Sequence, residues 1–273
     1  MDEMTDPGLA PAATTAPRAS RSFGGRYVYA LGAAMLAIIW LTSGDFINVW
    51  QPVSDNLPAR RLFVEVSAIA MLVSSAGLLV RRTARIAALV PTLLYLLFAW
   101  GWVTRIMLLP TVFGTWSGCA EEVVLVIAGV LLFVSARPDR FPNAAVETVC
   151  RIAFGLCAVS FGIIHFDALQ PTAKMVPAWL PGSGTFWAMA TGLCHAAGGL
   201  ALIFNFRARL AAYLLAAMYL VFELLVWVPS AWPVHADPVV WGGNAVTIAI
   251  AGSAWVLGDV LGERRNSGAV PSA

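Results

Sequence analysis

The chain has 273 residues, of which 59% are hydrophobic and 12% are charged, and its formal net charge at pH 7 is +2. This composition excludes an ordinary soluble protein of one or two domains and is typical of a polytopic membrane protein. We therefore expect the lipid bilayer to surround it, and the small net charge gives no reason to expect a nucleic-acid partner.

Eight apolar stretches follow one another along the chain. Each is close to the roughly 20 residues that a helix needs to cross about 30 Å of hydrocarbon. They occupy residues 28–46, 62–80, 85–109, 117–135, 149–167, 185–204, 208–229 and 239–258. The sequence therefore predicts an all-α, polytopic membrane protein with eight transmembrane helices.

The positively charged residues predict the orientation of these helices. When the connecting segments are assigned alternately to two sides, thirteen arginines fall on one side, whereas three arginines and one lysine fall on the other. Positive residues accumulate on the cytoplasmic side of membrane proteins. We therefore expect a multi-pass protein of the cell inner (plasma) membrane with its N- and C-termini in the cytoplasm.

The two halves of the chain share a pattern of residues at a nearly constant offset. Residues 83–88 (TARIAA) correspond to residues 207–212 (RARLAA), and a Tyr and a Phe follow at the same distances in both halves. The offset stays between about 120 and 125 residues, which is typical of an internal duplication. Because each copy holds an even number of helices, we predict two parallel four-helix repeats.

The domain organisation follows from this duplication. The segments outside the apolar stretches are rich in Pro, Ala, Thr and charged residues, which is typical of tails and linkers. We predict a disordered cytoplasmic tail over residues 1–25, a first four-helix repeat over 26–136, a cytoplasmic linker over 137–148, a second four-helix repeat over 149–260 and a disordered tail over 261–273.

Ionisable residues inside the apolar stretches are the candidates for chemistry, because the sequence contains no P-loop, H-E-x-x-H or G-x-S-x-G motif. Each costs roughly 2.5–3.5 kcal/mol at the centre of a membrane helix. At ~1.5 Å per helical residue, His165 and Glu223 lie about 21 Å, and His195 about 18 Å, from arginines at the cytoplasmic ends of their helices. With Tyr219, one turn before Glu223, they form a candidate polar pocket. No catalytic residue is assigned.

Small residues predict that this pocket faces the interior of the bundle. Gly155 and Gly162 share a helix face with His165, and Gly192 precedes His195 by three residues. Small residues at such spacing let membrane helices approach closely.

Three interpretations of this pocket stay open. A structural interpretation has His165 or His195 hydrogen-bonded to Glu223 or Tyr219. A second is a proton-exchange or quinone-headgroup site. The third is a metal or haem site, since two histidines and a carboxylate form a legitimate ligand set. Only three histidines and no ligand-spacing motif are present, which disfavours metal and haem.

A second cluster is predicted near the outer interface, where hydration lowers the cost of a charge. It consists of Asp45, Glu65, Arg105 and Glu121. A lattice of ion pairs is the favoured interpretation, and a catalytic or proton-entry role is the alternative. The first half has Ala99 at the position that matches Glu223, so the two halves differ at a residue that is costly to bury.

The second half resembles the DoxX-like (DoxX/DoxD) family of small membrane proteins. The resemblance is carried by residues 161–166 (FGIIHF), 175–181 (MVPAWLP), 191–200 (TGLCHAAGGL) and 209–212 (RLAA). It is clear over residues 150–230 and weaker over 28–135. Members usually have four helices, so this chain is similar to a fused tandem pair.

The resemblance implies an accessory subunit in redox or quinone-linked membrane metabolism, with a membrane redox partner protein and quinone as the candidate cofactor. One departure puts the chemistry in doubt, because the family more often has Glu at the position of His195. Two alternatives stay open. One is a membrane-embedded enzyme on an isoprenoid-type substrate that uses Asp45, Glu65 or Glu223 as proton donor. The other is a small-solute transporter, for which Pro91 is the main candidate helix interruption.

Overall fold

The computed structural model of the protein describes residues 24–135, 143–231 and 237–267. These residues form helices and contain no β-strand. The helices are α1 (Gly25–Ser43), α2 (Arg60–Leu79), α3 (Ala84–Ala87), α4 (Leu89–Leu108), α5 (Phe113–Ser135), α6 (Ala144–Asp167), α7 (Leu169–Met175), α8 (Gly184–Ile203), α9 (Ala208–Phe222), a π-helix (Glu223–Trp227), α10 (Val228–Ala231) and α11 (Pro238–Ser267).

Eight helical segments among the described residues are long and apolar enough to cross a membrane. They are α1, α2, α3 with α4, α5, α6, α8, α9 with the π-helix and α10, and α11. The predicted all-α membrane fold with eight spans is therefore confirmed.

The predicted tails and linker lie largely outside the described residues, at 1–23, 136–142 and 268–273. Two boundaries differ from the prediction. Helix α6 begins at Ala144, inside the predicted linker, where Asn143 accepts a hydrogen bond from the backbone of Ala145 and so caps the helix. Helix α11 continues to Ser267, inside the predicted tail.

Two of the spans are interrupted. The third changes from α3 to α4 at Ala88, three residues before Pro91, whose ring has no N–H and crowds the carbonyl four residues earlier. The seventh contains the π-helix Glu223–Trp227, which the sequence did not predict. Single π-turns inside α-helices frequently occur at functional sites.

The helices of each half pack in chain order. In the first half α1 contacts α2, α2 contacts α3 and α4, and α4 contacts α5; in the second half α6 contacts α8, α8 contacts α9, and α9 contacts α11. The halves meet where α1 packs on α11, α5 on α6, and α5 on α11. Exchanging the halves maps these contacts onto one another, whereas the parallel arrangement of two repeats stays a prediction. The duplication itself stays a prediction. The halves are not two separate bundles, because α1 packs extensively on α11 of the other half.

Glycines let two pairs of helices touch through their backbones. A Cβ placed on Gly32 of α1 would lie 2.5 Å from the backbone nitrogen of Ala249 on α11. A Cβ on Gly155 of α6 would lie 2.7 Å from the carbonyl oxygen of Gly199 on α8. The face of small residues predicted beside His165 is therefore the face that packs on α8, as expected for close helix contact in a membrane.

Candidate functional site

A cavity of about 940 Å³ lies mainly within the second half of the molecule. Helices α6, α8 and α9 form most of its wall, and α5 and α11 contribute a few residues. It extends along α8 from Trp187 to Ala201, and on the α9 side it reaches Arg207. We call the end of the helices near residues 81–85 and 207–209 the arginine end. The lining is almost entirely apolar, so its few polar side chains stand out.

His165 and His195 line this cavity and lie against each other. Their ring centroids are 4.7 Å apart, with the planes tilted by 44°. His165 is half-buried, whereas His195 is 2% exposed. The structure thus brings together two of the four residues predicted for the polar pocket, one from α6 and one from α8.

Each histidine uses Nδ1 to bond to its own helix. Nδ1 of His165 lies 2.7 Å from the carbonyl oxygen of Phe161, and Nδ1 of His195 lies 2.9 Å from that of Thr191. A carbonyl oxygen only accepts, so Nδ1 carries the proton in both rings. In a neutral imidazole Nε2 is then a hydrogen-bond acceptor. Among the described residues neither Nε2 has a hydrogen-bond partner.

Aromatic side chains surround His195. The ring centroids of Phe161, Tyr219 and Phe222 lie 6.0, 5.5 and 5.8 Å from the centroid of the imidazole. All three rings line the cavity. The Tyr219 hydroxyl is buried and has no hydrogen-bond partner in the described part of the chain. The site therefore combines two ring acceptors with an aromatic wall that suits a planar ligand.

Residues 147–227 match the DoxX family. This region of the second half is similar to DoxX. No curated protein and no solved structure matches the chain. The DoxX-like region contains α6, α8, α9 and the π-helix, and so it contains both histidines and Tyr219.

Glu223, the remaining residue of the predicted pocket, does not line the cavity. Consecutive helical residues point about 100° apart, and Phe222 takes the position that faces the cavity. The π-helix that begins at Glu223 contacts α11, and its later residues, Leu225, Val226 and Trp227, line the cavity. Both carboxyl oxygens of Glu223 are buried without a hydrogen-bond partner among the described residues. The described residues do not form the predicted hydrogen bond between a histidine and Glu223 or Tyr219, since the Tyr219 hydroxyl and both Glu223 carboxyl oxygens have no partner among them.

The predicted lattice of ion pairs near the outer interface is replaced by local pairs. Asp45 pairs with Arg60 at 2.8 Å, and Glu65 pairs with Arg61 at 3.0 Å. Arg105 donates to the side chain and backbone of an asparagine in the loop after α1. Arg60 and Arg61 begin α2 and lie nearer to these acids than Arg105 does in sequence. The Arg61–Glu65 pair could have been predicted from its four-residue spacing.

Glu121 leaves that cluster and lines the cavity of the DoxX-like region, although it belongs to α5 of the first half. The adjacent Glu122 points into the first half, where it is 2% exposed and has one oxygen without a partner among the described residues. The sequence placed Glu121 in the outer cluster, because it contains no signal for the contact between α5 and the second half.

The geometry of the histidine pair favours an organic ligand over a metal ion or a haem. Among the described residues no group of three or more His, Cys, Asp or Glu side chains is arranged to hold a metal ion. The imidazole centroids of His165 and His195 are 4.7 Å apart, which leaves no room for a porphyrin plane between the rings. The geometry instead suits an organic ligand that donates hydrogen bonds to Nε2.

Proposed function

We propose that the protein is an accessory membrane protein of quinone-linked redox metabolism that binds a hydroquinone at His165 and His195. The observation that carries this proposal is the engagement of both Nδ1 atoms by backbone carbonyls. It makes both Nε2 atoms acceptors in one apolar cavity, so the fitting ligand is a planar apolar molecule with hydroxyl donors.

The same chemistry predicts which redox form binds. A hydroquinone carries two hydroxyl groups, each of which donates a hydrogen bond, whereas the oxidised quinone carries two carbonyl oxygens that only accept. Two facing acceptors do not form a hydrogen bond. We therefore expect His165 and His195 to favour the hydroquinone. Phe161 and Phe222 supply ring contacts that do not depend on the redox form.

The accessory role, the redox partner protein and the location in the inner membrane belong to the same proposal. The DoxX-like region supports it, because the resemblance of the sequence implies such a role. The concentration of arginines at one end of the spans supports cytoplasmic N- and C-termini.

Binding of tritiated trimethylhydroquinone to the purified protein in lipid nanodiscs tests the proposal. Under anaerobic conditions the hydroquinone should bind, and trimethylbenzoquinone should compete poorly. His195→Phe removes one acceptor and should weaken binding about 2- to 12-fold, from about 0.5–1.5 kcal/mol per hydrogen bond. His195→Gln retains an acceptor and should bind more tightly than His195→Phe. Equal affinity for the two redox forms, or full affinity in His195→Phe, would contradict the proposal.

A second candidate function is an enzyme on an isoprenoid-type substrate, which the large apolar cavity favours. The acids first considered as proton donors do not support it, because Asp45 and Glu65 are ion-paired and Glu223 does not line the cavity. Glu121 is the carboxyl group that does. Conversion of a linear isoprenoid by the purified protein, lost in Glu121→Gln, would support this function; absence of any product would oppose it.

A further inference from the structure

We infer that the ligand is a ring with a long apolar chain, and that the chain lies in the cleft between α8 and α9 and enters it sideways from the bilayer. This inference rests on the proposed function, since it describes the remainder of the molecule whose ring the histidines bind. It adds a substrate class, an orientation and an entry route to the ring site.

The cleft exists because α8 has little side-chain volume on one strip. Between His195 and the arginine end, α8 lines the cavity with Ala197, Gly198 and Ala201. Helix α9 faces this strip with larger side chains, among them Leu214 and Leu215. A Cβ on Gly198 would lie 2.9 Å from Cδ2 of Leu215, so this leucine packs directly on the α8 backbone and forms the floor of the cleft.

The cleft has the length and polarity that an extended hydrocarbon chain requires. His195 precedes Ile203, the last residue of α8, by eight residues, which corresponds to about 12 Å along the helix. This is close to the length of an extended decyl chain. The α8 residues that line the cavity between these two positions are apolar. A ring held at the histidines therefore has an apolar path for its chain toward the arginine end.

The cleft is open on its lipid-facing side. Leu210 and Leu214 of α9 are 49% and 61% exposed although they line the cavity. Cys194 and Ala197 of α8 are also exposed and also line it. These residues lie within membrane-spanning segments, so their exposed surfaces face hydrocarbon.

Residues at and after the end of α7 line the opposite end of the cavity. They are Met175 of α7 and Val176, Pro177 and Leu180 of the following loop. An amphipathic ligand dissolved in the bilayer therefore has a lateral path into the site and does not need to pass the loop.

Variants that fill the cleft distinguish binding of the ligand's chain from binding of its ring. Ala201→Phe places a phenyl group in the cleft far from the histidines. It should weaken binding of a decyl-substituted trimethylhydroquinone at least tenfold and leave chainless trimethylhydroquinone within twofold of wild type. Leu193→Phe is the matched control, because Leu193 is 60% exposed on the same helix and does not line the cavity. It should change neither affinity.

The outcomes distinguish the two proposals. If the wild-type protein binds neither compound, the proposed function fails and this inference fails with it. If the wild-type protein binds both and Ala201→Phe weakens neither, or weakens both equally, the chain does not occupy the cleft and the ring site stands.

A positional measurement on the wild-type protein avoids any folding defect of the variant. A hydroquinone with a diazirine at the end of its decyl chain should label residues 197–214 upon illumination. Labelling of residues 172–180 instead would overturn the inferred orientation.

Discussion

The contact between α6 and α8 at Gly162 sets the separation of the two histidines. A Cβ on Gly162 would lie 2.8 Å from the carbonyl oxygen of Gly192 and 3.1 Å from the backbone nitrogen of Ala196. Both are backbone atoms, so no side chain can rotate away. Ordinary van der Waals contact begins at 3.4 Å, and the difference from 2.8 Å requires α6 and α8 to separate by about 0.6 Å.

We expect Gly162→Ala to destabilise the protein and to weaken the ring site. Overpacking of this kind costs about 1–3 kcal/mol, which corresponds to a melting temperature lower by roughly 2–10 °C. Because His165 and His195 lie on the two separated helices, with ring centroids 4.7 Å apart, hydroquinone binding should also weaken. Thermal unfolding followed by tryptophan fluorescence and the tritiated-hydroquinone assay measure the two effects.

Gly114→Ala is the matched control for this substitution. No atom lies within 4 Å of a Cβ on Gly114, which is the second residue of α5. Alanine is also the better helix former, so the control should melt at the wild-type temperature or slightly above it. If Gly162→Ala has the same melting temperature as Gly114→Ala and binds hydroquinone with wild-type affinity, the close contact does not set the geometry of the site and the reasoning is refuted.

Three further predictions concern charged residues. Arg151 is buried and donates to two backbone carbonyls at the end of α8, so Arg151→Met should lower the free energy of unfolding by about 1.5–3 kcal/mol. Arg61→Met is the control, because this side chain is 86% exposed, and it should lower the same free energy by about 0.5 kcal/mol or less. Glu223→Gln should leave the melting temperature unchanged or raise it, because it removes a buried carboxyl group that has no partner among the described residues; a clear decrease would show that the carboxyl makes a stabilising contact. The topology can be tested in a chain whose four native cysteines are replaced by alanine. Asp55→Cys should react with an impermeant maleimide on intact cells, and Arg82→Cys should react only after lysis. The reverse pattern would show that the predicted topology is inverted.

The number and type of helices could be predicted from composition and segment length. A bilayer imposes a minimum apolar length on every spanning helix, so each span is visible in the sequence without tertiary information. The residues at which the helices begin and end were less predictable. Helix α6 begins at Ala144 because Asn143 caps it, and this local signal lies outside the apolar stretch. The π-helix after Phe222 had no recognised signal in the sequence.

The candidate site was only partly predictable. Depth along the helices placed His165 and His195 in one layer, and the structure brings them into contact. The same argument included Glu223, which was predicted at a suitable depth but does not line the cavity. It excluded Glu121, which lines the cavity from the other half of the chain. Depth was therefore a reliable guide to the layer and a poor guide to the direction of each side chain.

The sequence by itself determined the membrane class and the number of spans and predicted a common layer for the two histidines, because a spanning helix needs a minimum apolar length and rises by a constant distance per residue. The tertiary structure decided which faces of those helices meet. Rotation of a helix about its axis depends on packing against its neighbours, such as the glycine contacts between α6 and α8. That packing joins the two histidines, leaves Glu223 outside the cavity lining and leaves the α8–α9 cleft open, and none of these can be calculated from depth alone.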